Sequence, residues 1–249
     1  MQRGIVLANA RSTLGLALII VLGALGGCVA NGGDESILVL KNVVADATCT
    51  ASSSSAEVGL SHGRLDLLLP SGYLFIAQLK SRITALTGQE DQRTIITSGA
   101  RVDITFPNST VFSAAELADL RSSGLTHFKQ LFSVVISPNG GIADAPFDLI
   151  PVDLVDRIAA KTTPSAAFRM EAVATFTVDG DMSGQGVTSQ AFTYAITIGN
   201  GVGVNITGLC SDVKAGFVAR TGYACNPAQD GVVDCCVSGS RLVCPAAAP

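Results

Sequence analysis

One serine in the chain has the sequence context of a catalytic nucleophile. Residues 59–63 read GLSHG, which matches the G-x-S-x-G pattern with Ser61 at its centre. In hydrolases with this pattern, the serine lies on a turn between a strand and a helix, and a histidine accepts its proton. Here a serine-rich loop precedes Ser61, a strand-like run follows it, and only His62 and His127 could be the base. The context favours a loop leading into a strand, with an envelope esterase using Ser61 and His127 as an alternative function.

Residues 179–190, DGDMSGQGVTSQ, place oxygen-bearing side chains at alternate positions. Asp179, Asp181 and Ser183 match the first, third and fifth positions of a calcium-binding loop. The twelfth position is Gln190 where such loops have a bidentate glutamate, and strand-like runs flank the segment where helices would be expected. The main interpretation is a glycine-rich hairpin loop without a metal. A calcium-dependent binding module that uses these three side chains is the second alternative.

Six of the seven cysteines fit a disulfide framework; they are Cys49, Cys210, Cys225, Cys235, Cys236 and Cys244. An even number in an exported protein indicates three disulfides, and the sequence leaves their pairing open. Five of the six lie in the C-terminal tail, which is rich in turn residues and needs bridges to hold it. Cys49, if it pairs with one of them, ties the tail to the rest of the chain. A zinc site from the last four lacks the usual C-x2-C spacing.

The elements that must position these residues are predicted to be mainly β-strands. Between residues 36 and 208 the dominant hydrophobic period is two, which indicates strands with one buried face. The 170–178 run and the 192–198 run alternate most clearly, and we expect them to pair as a hairpin. Shorter alternating runs cover 64–69, 102–106 and 132–136. Regularly spaced strands of this kind predict an antiparallel β-sandwich that is Ig-like in architecture.

Two short helices are predicted to cross over this β framework. Ser113 and Glu116 have the spacing of a capping box, and Gly124 supplies a stop signal. Residues 151–160 carry an apolar stripe at helical spacing, which predicts the second helix.

The N-terminal residues have the parts of an export signal. Arg3 and Arg11 form a positive region, and an apolar run covers residues 14–25. A helix of this length spans about 18 Å, short of the roughly 30 Å hydrocarbon core of a bilayer. A retained span over residues 14–30 would just reach the lower limit, but its glycines and the polar residues after it count against that reading. We therefore predict a signal peptide over residues 1–27.

The end of this run resembles the bacterial lipobox. Leu25, Gly26 and Gly27 stand where that motif has an apolar residue and two small ones, and Cys28 stands at its lipidated cysteine. The resemblance implies cleavage before Cys28, a covalent lipid on its thiol, and anchoring to a membrane with no other cofactor. It also implies the outer membrane, because Val29 follows where an aspartate would retain the protein at the inner membrane.

Composition limits the possible partners. Removing 27 of 249 residues leaves 222 residues with a net charge of 14 − 20 = −6. A mildly acidic surface without runs of like charge argues against nucleic acid as a partner. The predicted organisation is a lipidated tether over 28–35, a β-sandwich domain over 36–208 with a flexible loop over 47–59, and a Cys-rich tail over 209–249.

The tail contains CNPAQDGVVDCC (225–236). Together with the lipobox and the β-rich body, it resembles uncharacterised Cys-rich envelope lipoproteins of Gram-negative bacteria. The resemblance implies a cell-envelope protein and supplies no known activity. Our main hypothesis is a protein on the periplasmic face or the cell surface that is not an enzyme. Its expected role is binding, adhesion or envelope structure, with an unknown envelope or extracellular ligand.

Overall fold

The computed structural model describes residues 36–46, 48–51, 59–84, 93–107, 110–163 and 167–246. The predicted signal peptide, Cys28, the tether and most of the predicted loop over 47–59 lie outside the described residues. Within the described part, fourteen strands form three sheets, with two short α-helices. The predicted mainly-β fold with crossover helices and a disulfide-rich C-terminal tail is confirmed.

The strands are, in chain order, β1 Ile37–Val43, β2 Gly59–Leu60, β3 Gly63–Asp66, β4 Tyr73–Ser81, β5 Ile95–Thr105, β6 His127–Gln130, β7 Val135–Ile136, β8 Ile142–Ile150, β9 Arg169–Met182, β10 Gln185–Thr188, β11 Phe192–Gly199, β12 Val204–Leu209, β13 Val233–Ser238 and β14 Arg241–Val243. Sheet A has the order β2-β1-β4-β8, and sheet C has the order β12-β13-β14. Sheet B has the order β3-β11-β9-β5-β6, with β10 also on β9 and β7 also on β5.

Sheets A and B pack face to face and share one hydrophobic core. Phe75 of sheet A lies edge-on to Phe176 of sheet B, with ring centroids 5.2 Å apart, and Phe147 makes the same contact from β8. Edge-to-face aromatic pairs add about 0.5–1.5 kcal/mol to the free energy gained from burial. The alternating runs therefore form a sandwich because each places one apolar face against the other sheet.

The predicted hairpin between the 170–178 and 192–198 runs is confirmed in its pairing, since Phe176 lies opposite Phe192 in an antiparallel ladder. The connection differs from the predicted loop. β9 continues to Met182, and β10 returns beside it after a two-residue turn at Ser183 and Gly184. Both turn residues have positive φ, at 54° and 81°, which matches the twist of a tight β-hairpin.

The β3–β11 ladder is parallel where the alternating pattern predicted antiparallel strands. β13 lies in the tail, for which no strand was predicted, and it also forms a parallel ladder, with β12. β3 also ends at Asp66, although the alternating run extends to residue 69. The Asp66 carboxylate accepts a hydrogen bond from the backbone N–H of Leu68, which turns the chain out of the strand. It also accepts from Gly203 and Val204, so this buried carboxylate holds the start of β12.

Both predicted helices are present. Helix α1 (Ala114–Ser122) begins at a complete capping box, in which the Ser113 hydroxyl accepts from Glu116 N–H and the Glu116 carboxylate accepts from Ser113 N–H. Helix α2 (Val152–Ala159) places Leu154, Val155 and Ile158 in the core.

The six cysteines of the predicted disulfide framework lie in three disulfide pairs. Cys235–Cys244 and Cys210–Cys236 lie within the tail, with Cα atoms 4.5 and 4.9 Å apart. Cys49–Cys225 joins the tail to the chain segment after β1, at a Cα separation of 5.2 Å. The adjacent cysteines at 235 and 236 therefore belong to two separate bridges, on opposite faces of β13.

Candidate functional site

Ser61 lies at the point where the chain crosses from sheet A to sheet B. It is exposed, forms no hydrogen bond with another described residue, and lines a shallow pocket of about 260 Å³ with Thr193 and Tyr194. His127 is on β6 at the far edge of sheet B, four strand spacings or roughly 19 Å across the sheet from β3. Its Nδ1 lies 3.0 Å from an oxygen of Asp103. The structure therefore does not bring Ser61 and His127 together.

His62 belongs to a different polar cluster. Its Nε2 lies 2.7 Å from the hydroxyl of Thr197, which donates to a carboxylate oxygen of Glu171 at 2.5 Å. Because the hydroxyl proton is directed to the carboxylate, the Thr197 oxygen accepts from a protonated Nε2. A histidine that donates through Nε2 fixes the crossover loop to sheet B, and among the described residues neither histidine forms a hydrogen bond with Ser61.

The calcium candidates are on β9 and its turn. Asp179 lies 2.7 Å from Arg101 Nη2 and 3.7 Å from Lys129 Nζ, so two cationic side chains already compensate its charge. Asp181 accepts a hydrogen bond from Gly184 N–H and thereby stabilises the turn. Among the residues that the structure describes, no group of three or more His, Cys, Asp or Glu side chains could hold a metal ion. The hairpin uses these carboxylates for its own structure.

Sequence reasoning missed a polar network inside the sandwich. The Tyr73 hydroxyl donates to Asp230 at 2.7 Å and lies 3.1 Å from the hydroxyl of Tyr194. Asn42 donates to both tyrosine oxygens at 3.2 Å. Burial raises the pKa of Asp230, and burial together with the Asp230 charge raises the pKa of Tyr73 well above its usual range. The network joins sheet A, sheet B and the tail at one point.

The polar residues of the tail motif make this junction. Asn226 donates to the carbonyl of Gly72, and Gln229 exchanges two hydrogen bonds with the backbone of Leu74, at 2.8 and 2.9 Å. Asp230 accepts from Arg64 N–H and donates its own N–H to the Arg64 carbonyl. Residues 226–230 therefore cover the edge of sheet B at β3 and bind the end of β4. The sequence signal was the density of Asn, Gln and Asp in a short segment between cysteines.

The outer face of sheet B is polar and accessible. Thr105 and Thr193 are exposed, and Thr175 and Thr177 are half-buried beside them. The hydroxyls of Thr175 and Thr193, directly opposite on neighbouring strands, lie 3.3 Å apart. Charged pairs flank the threonines, including Arg101–Asp179 at 2.7 Å and Arg121–Asp103 at 2.8 Å. A recess of about 340 Å³ lies between these groups. Hydroxyls and charges of both signs on one face can hydrogen-bond a polar ligand.

Among the described residues, none of the helices has the length and apolar character needed to cross a bilayer. No family model matches the chain, and no curated protein is significantly similar to it. A solved structure described as a crystal structure of a protein from Archaeoglobus fulgidus matches 56% of this chain and 94% of its own. The sequence identity is 10% and the TM-score is 0.33. A likeness this low supports no conclusion about function.

Proposed function

We propose that this protein is a membrane-anchored lipoprotein of the cell envelope with a non-catalytic binding role. The anchor is a lipid on Cys28, and the outer face of sheet B is the binding surface. The observation that carries the binding role is the arrangement of hydroxyl and charged side chains around Thr175 and Thr193. The ligand is a polar component of the envelope or its surroundings.

The contacts of Ser61, His62 and His127 support a role without catalysis. Nε2 of His62 holds the crossover loop, His127 bonds Asp103, and among the described residues neither histidine forms a hydrogen bond with Ser61. Acid–base catalysis on a serine requires a base within hydrogen-bond reach of the hydroxyl. The alternative esterase function therefore has no supporting geometry around Ser61.

The intact mass of the protein, extracted from its own membranes with detergent and without reductant, tests the anchor. We expect a chain that begins at Cys28, carries acyl groups and is six hydrogens lighter than the reduced form. A mass that includes Met1 would contradict the lipoprotein proposal, and free thiols would contradict the three disulfides.

A matched pair of variants tests the absence of catalysis. Hydrolysis of short-chain esters should be no higher for the wild-type protein than for Ser61→Ala, with Ser71→Ala as the control substitution. Activity that is lost in Ser61→Ala and kept in the control would replace the binding proposal with an esterase.

A further inference from the structure

Ile96 and Val135 form an exposed apolar pair at one end of sheet B. They lie directly opposite each other on β5 and β7, with 52% and 60% of their surfaces accessible. Their neighbours Ile95 and Ile136 are fully buried, so the core holds both strands in place beneath the pair. Leu131, which is 72% exposed, lies beside the same edge of β5. Ile96, Val135 and Leu131 together are the apolar patch.

The apolar patch is at the same end of the sandwich as Ser36, where the described part of the chain begins. Val135 is four residues before Asn139, whose N–H donates to the carbonyl of Ile83 at 2.7 Å. The next backbone bond runs from Arg82 N–H to the carbonyl of Ser36, at 3.1 Å. Two neighbouring segments therefore connect the patch to the start of β1.

The proposed lipid on Cys28 limits how far the bilayer can lie from Ser36. The two residues are 36 − 28 = 8 positions apart, and a fully extended chain of that length reaches at most about 29 Å. The tail binds the other end of β4, where Asp230 accepts from Tyr73 at 2.7 Å. β4 has nine residues, so its two ends are about 26 Å apart. The tail can therefore reach the bilayer only if almost the whole tether is stretched along β4.

We propose that the apolar patch enters the surface of the phospholipid bilayer to which the Cys28 lipid anchors the chain. This inference rests on the proposed anchor and adds the face that the folded body turns towards the lipid. Apolar side chains gain free energy on entering the boundary between headgroups and acyl chains. Arg82, exposed at the same end, can interact with lipid phosphate groups. Asp181, opposite Ile96 on β9, accepts from Gly184 N–H and marks the limit of the patch.

This orientation leaves the proposed binding surface outside the bilayer. Asp103, which lies opposite Thr175, is 103 − 96 = 7 residues along β5 from Ile96. That strand length is roughly 20 Å. Interfacial apolar groups enter the boundary region by only about 5–10 Å. The threonines of sheet B therefore remain accessible to a ligand.

A single introduced tryptophan can report the contact, because the chain contains none. Val135→Trp and Val218→Trp, as full chains extracted from their own membranes, would be reconstituted into phospholipid vesicles with brominated acyl chains. We expect Val135→Trp to lose at least about half of its emission relative to unbrominated vesicles, because its ring enters the acyl boundary. Val218→Trp is the matched control in the tail. Val218 is 89% exposed, so random collision with lipid would quench it at least as strongly, but we expect it to keep its emission.

A charge beside the probe separates contact with the bilayer from mere proximity to it. Adding Ile96→Asp to Val135→Trp should restore the emission while the protein still floats with the vesicles, because a carboxylate opposes entry into lipid. Val152→Asp is the control for the added charge, since Val152 is an exposed apolar residue on α2, and it should leave the quenching unchanged.

Flotation of the vesicles separates this inference from the anchor on which it rests. Protein that floats, but in which Val135→Trp is quenched no more than Val218→Trp, would overturn the membrane contact and leave the anchor standing. Quenching that persists after Ile96→Asp would do the same. Protein that does not float would overturn the anchor and this inference together.

Discussion

Tyr73 is the side chain on which the internal polar network depends. Its ring is fully buried, and its hydroxyl contacts Asp230, Tyr194 and Asn42. Removing the hydroxyl leaves the buried Asn42 and Tyr194 and the half-buried Asp230 each short of a partner. An unsatisfied buried group costs about 1–3 kcal/mol of folding free energy.

We expect Tyr73→Phe to lower the free energy of unfolding by about 2–3 kcal/mol, measured by urea denaturation. The double variant with Tyr194→Phe should be less destabilised than the sum of the single variants, because both remove the same contacts. The pair Tyr73→Phe and Ser113→Ala is the additive control, since Ser113 lies in the α1 cap. Additivity within the tyrosine pair would contradict a shared network.

Two aspartates should give opposite pH dependences of stability. Burial raises the pKa of Asp230 above its ordinary 3.8. The contribution of Asp230 to the free energy of unfolding is therefore full below pH 3.8 and is lost as the pH rises through the folded-state pKa. Hydrogen bonds from Thr48 and Thr50 lower the pKa of Asp46 to about 2. Its contribution is therefore present above pH 3.8 and is lost as pH falls towards 2.

Urea denaturation of Asp230→Asn and Asp46→Asn across the acid range measures both effects. The stability difference between wild type and Asp230→Asn should decrease as pH rises. The difference between wild type and Asp46→Asn should decrease as pH falls. The same slope for both variants would contradict the assigned environments.

Helix α1 is stabilised locally by the capping box at its N-terminus. Its capping box satisfies backbone N–H groups at both Ser113 and Glu116, and an ion pair from Lys161 to Glu116 links it to the chain after α2. Ser113→Ala should destabilise the protein by about 1 kcal/mol, as observed for other N-cap serines. Ser122→Ala, at the exposed C-terminal end of the same helix, is the control and should change the stability by less than about 0.5 kcal/mol. Equal effects in thermal unfolding would mean that the cap does not hold the helix.

At the scale of the whole molecule, one disulfide constrains the chain more than the others. Cys49–Cys225 spans 176 residues, compared with 26 and 9 for the two bridges inside the tail. Loop-closure entropy predicts that this bridge stabilises the fold by up to about 5 kcal/mol, against about 3.5 kcal/mol for Cys210–Cys236. The double variant Cys49→Ser/Cys225→Ser should therefore lose several kcal/mol in urea denaturation.

Partial reduction of the wild-type protein tests which disulfide is most accessible. Cys49 is exposed, whereas Cys235 and Cys236 are fully buried. Under limiting reductant, alkylation followed by peptide mass analysis should find Cys49 and Cys225 modified first. Earlier modification of Cys235 or Cys236 would show that the two disulfides within the tail are reduced before the Cys49–Cys225 disulfide.

Local sequence patterns predicted the features that depend on near neighbours. The alternation at 170–178 and 192–198 predicted a hairpin because side chains on a strand alternate between core and solvent. The Ser113 and Glu116 spacing predicted the helix start for a similarly local reason. The connection between the two runs was predicted as a loop, but it contains a tight turn in which Ser183 has a positive φ.

The contacts between residues that are distant in sequence depend on the packing of the whole fold. Asp230 and Tyr73 are 157 residues apart, and no periodicity or spacing links them. The pairing of Cys49 with Cys225 and the separation of Ser61 from His127 likewise follow from strand order in two sheets. Hydrophobic period specifies which face of a strand is buried, but the order of strands depends on packing energies summed over the whole core. Residue types and spacing therefore identify the side chains capable of chemistry, and in the fold most of them stabilise the structure.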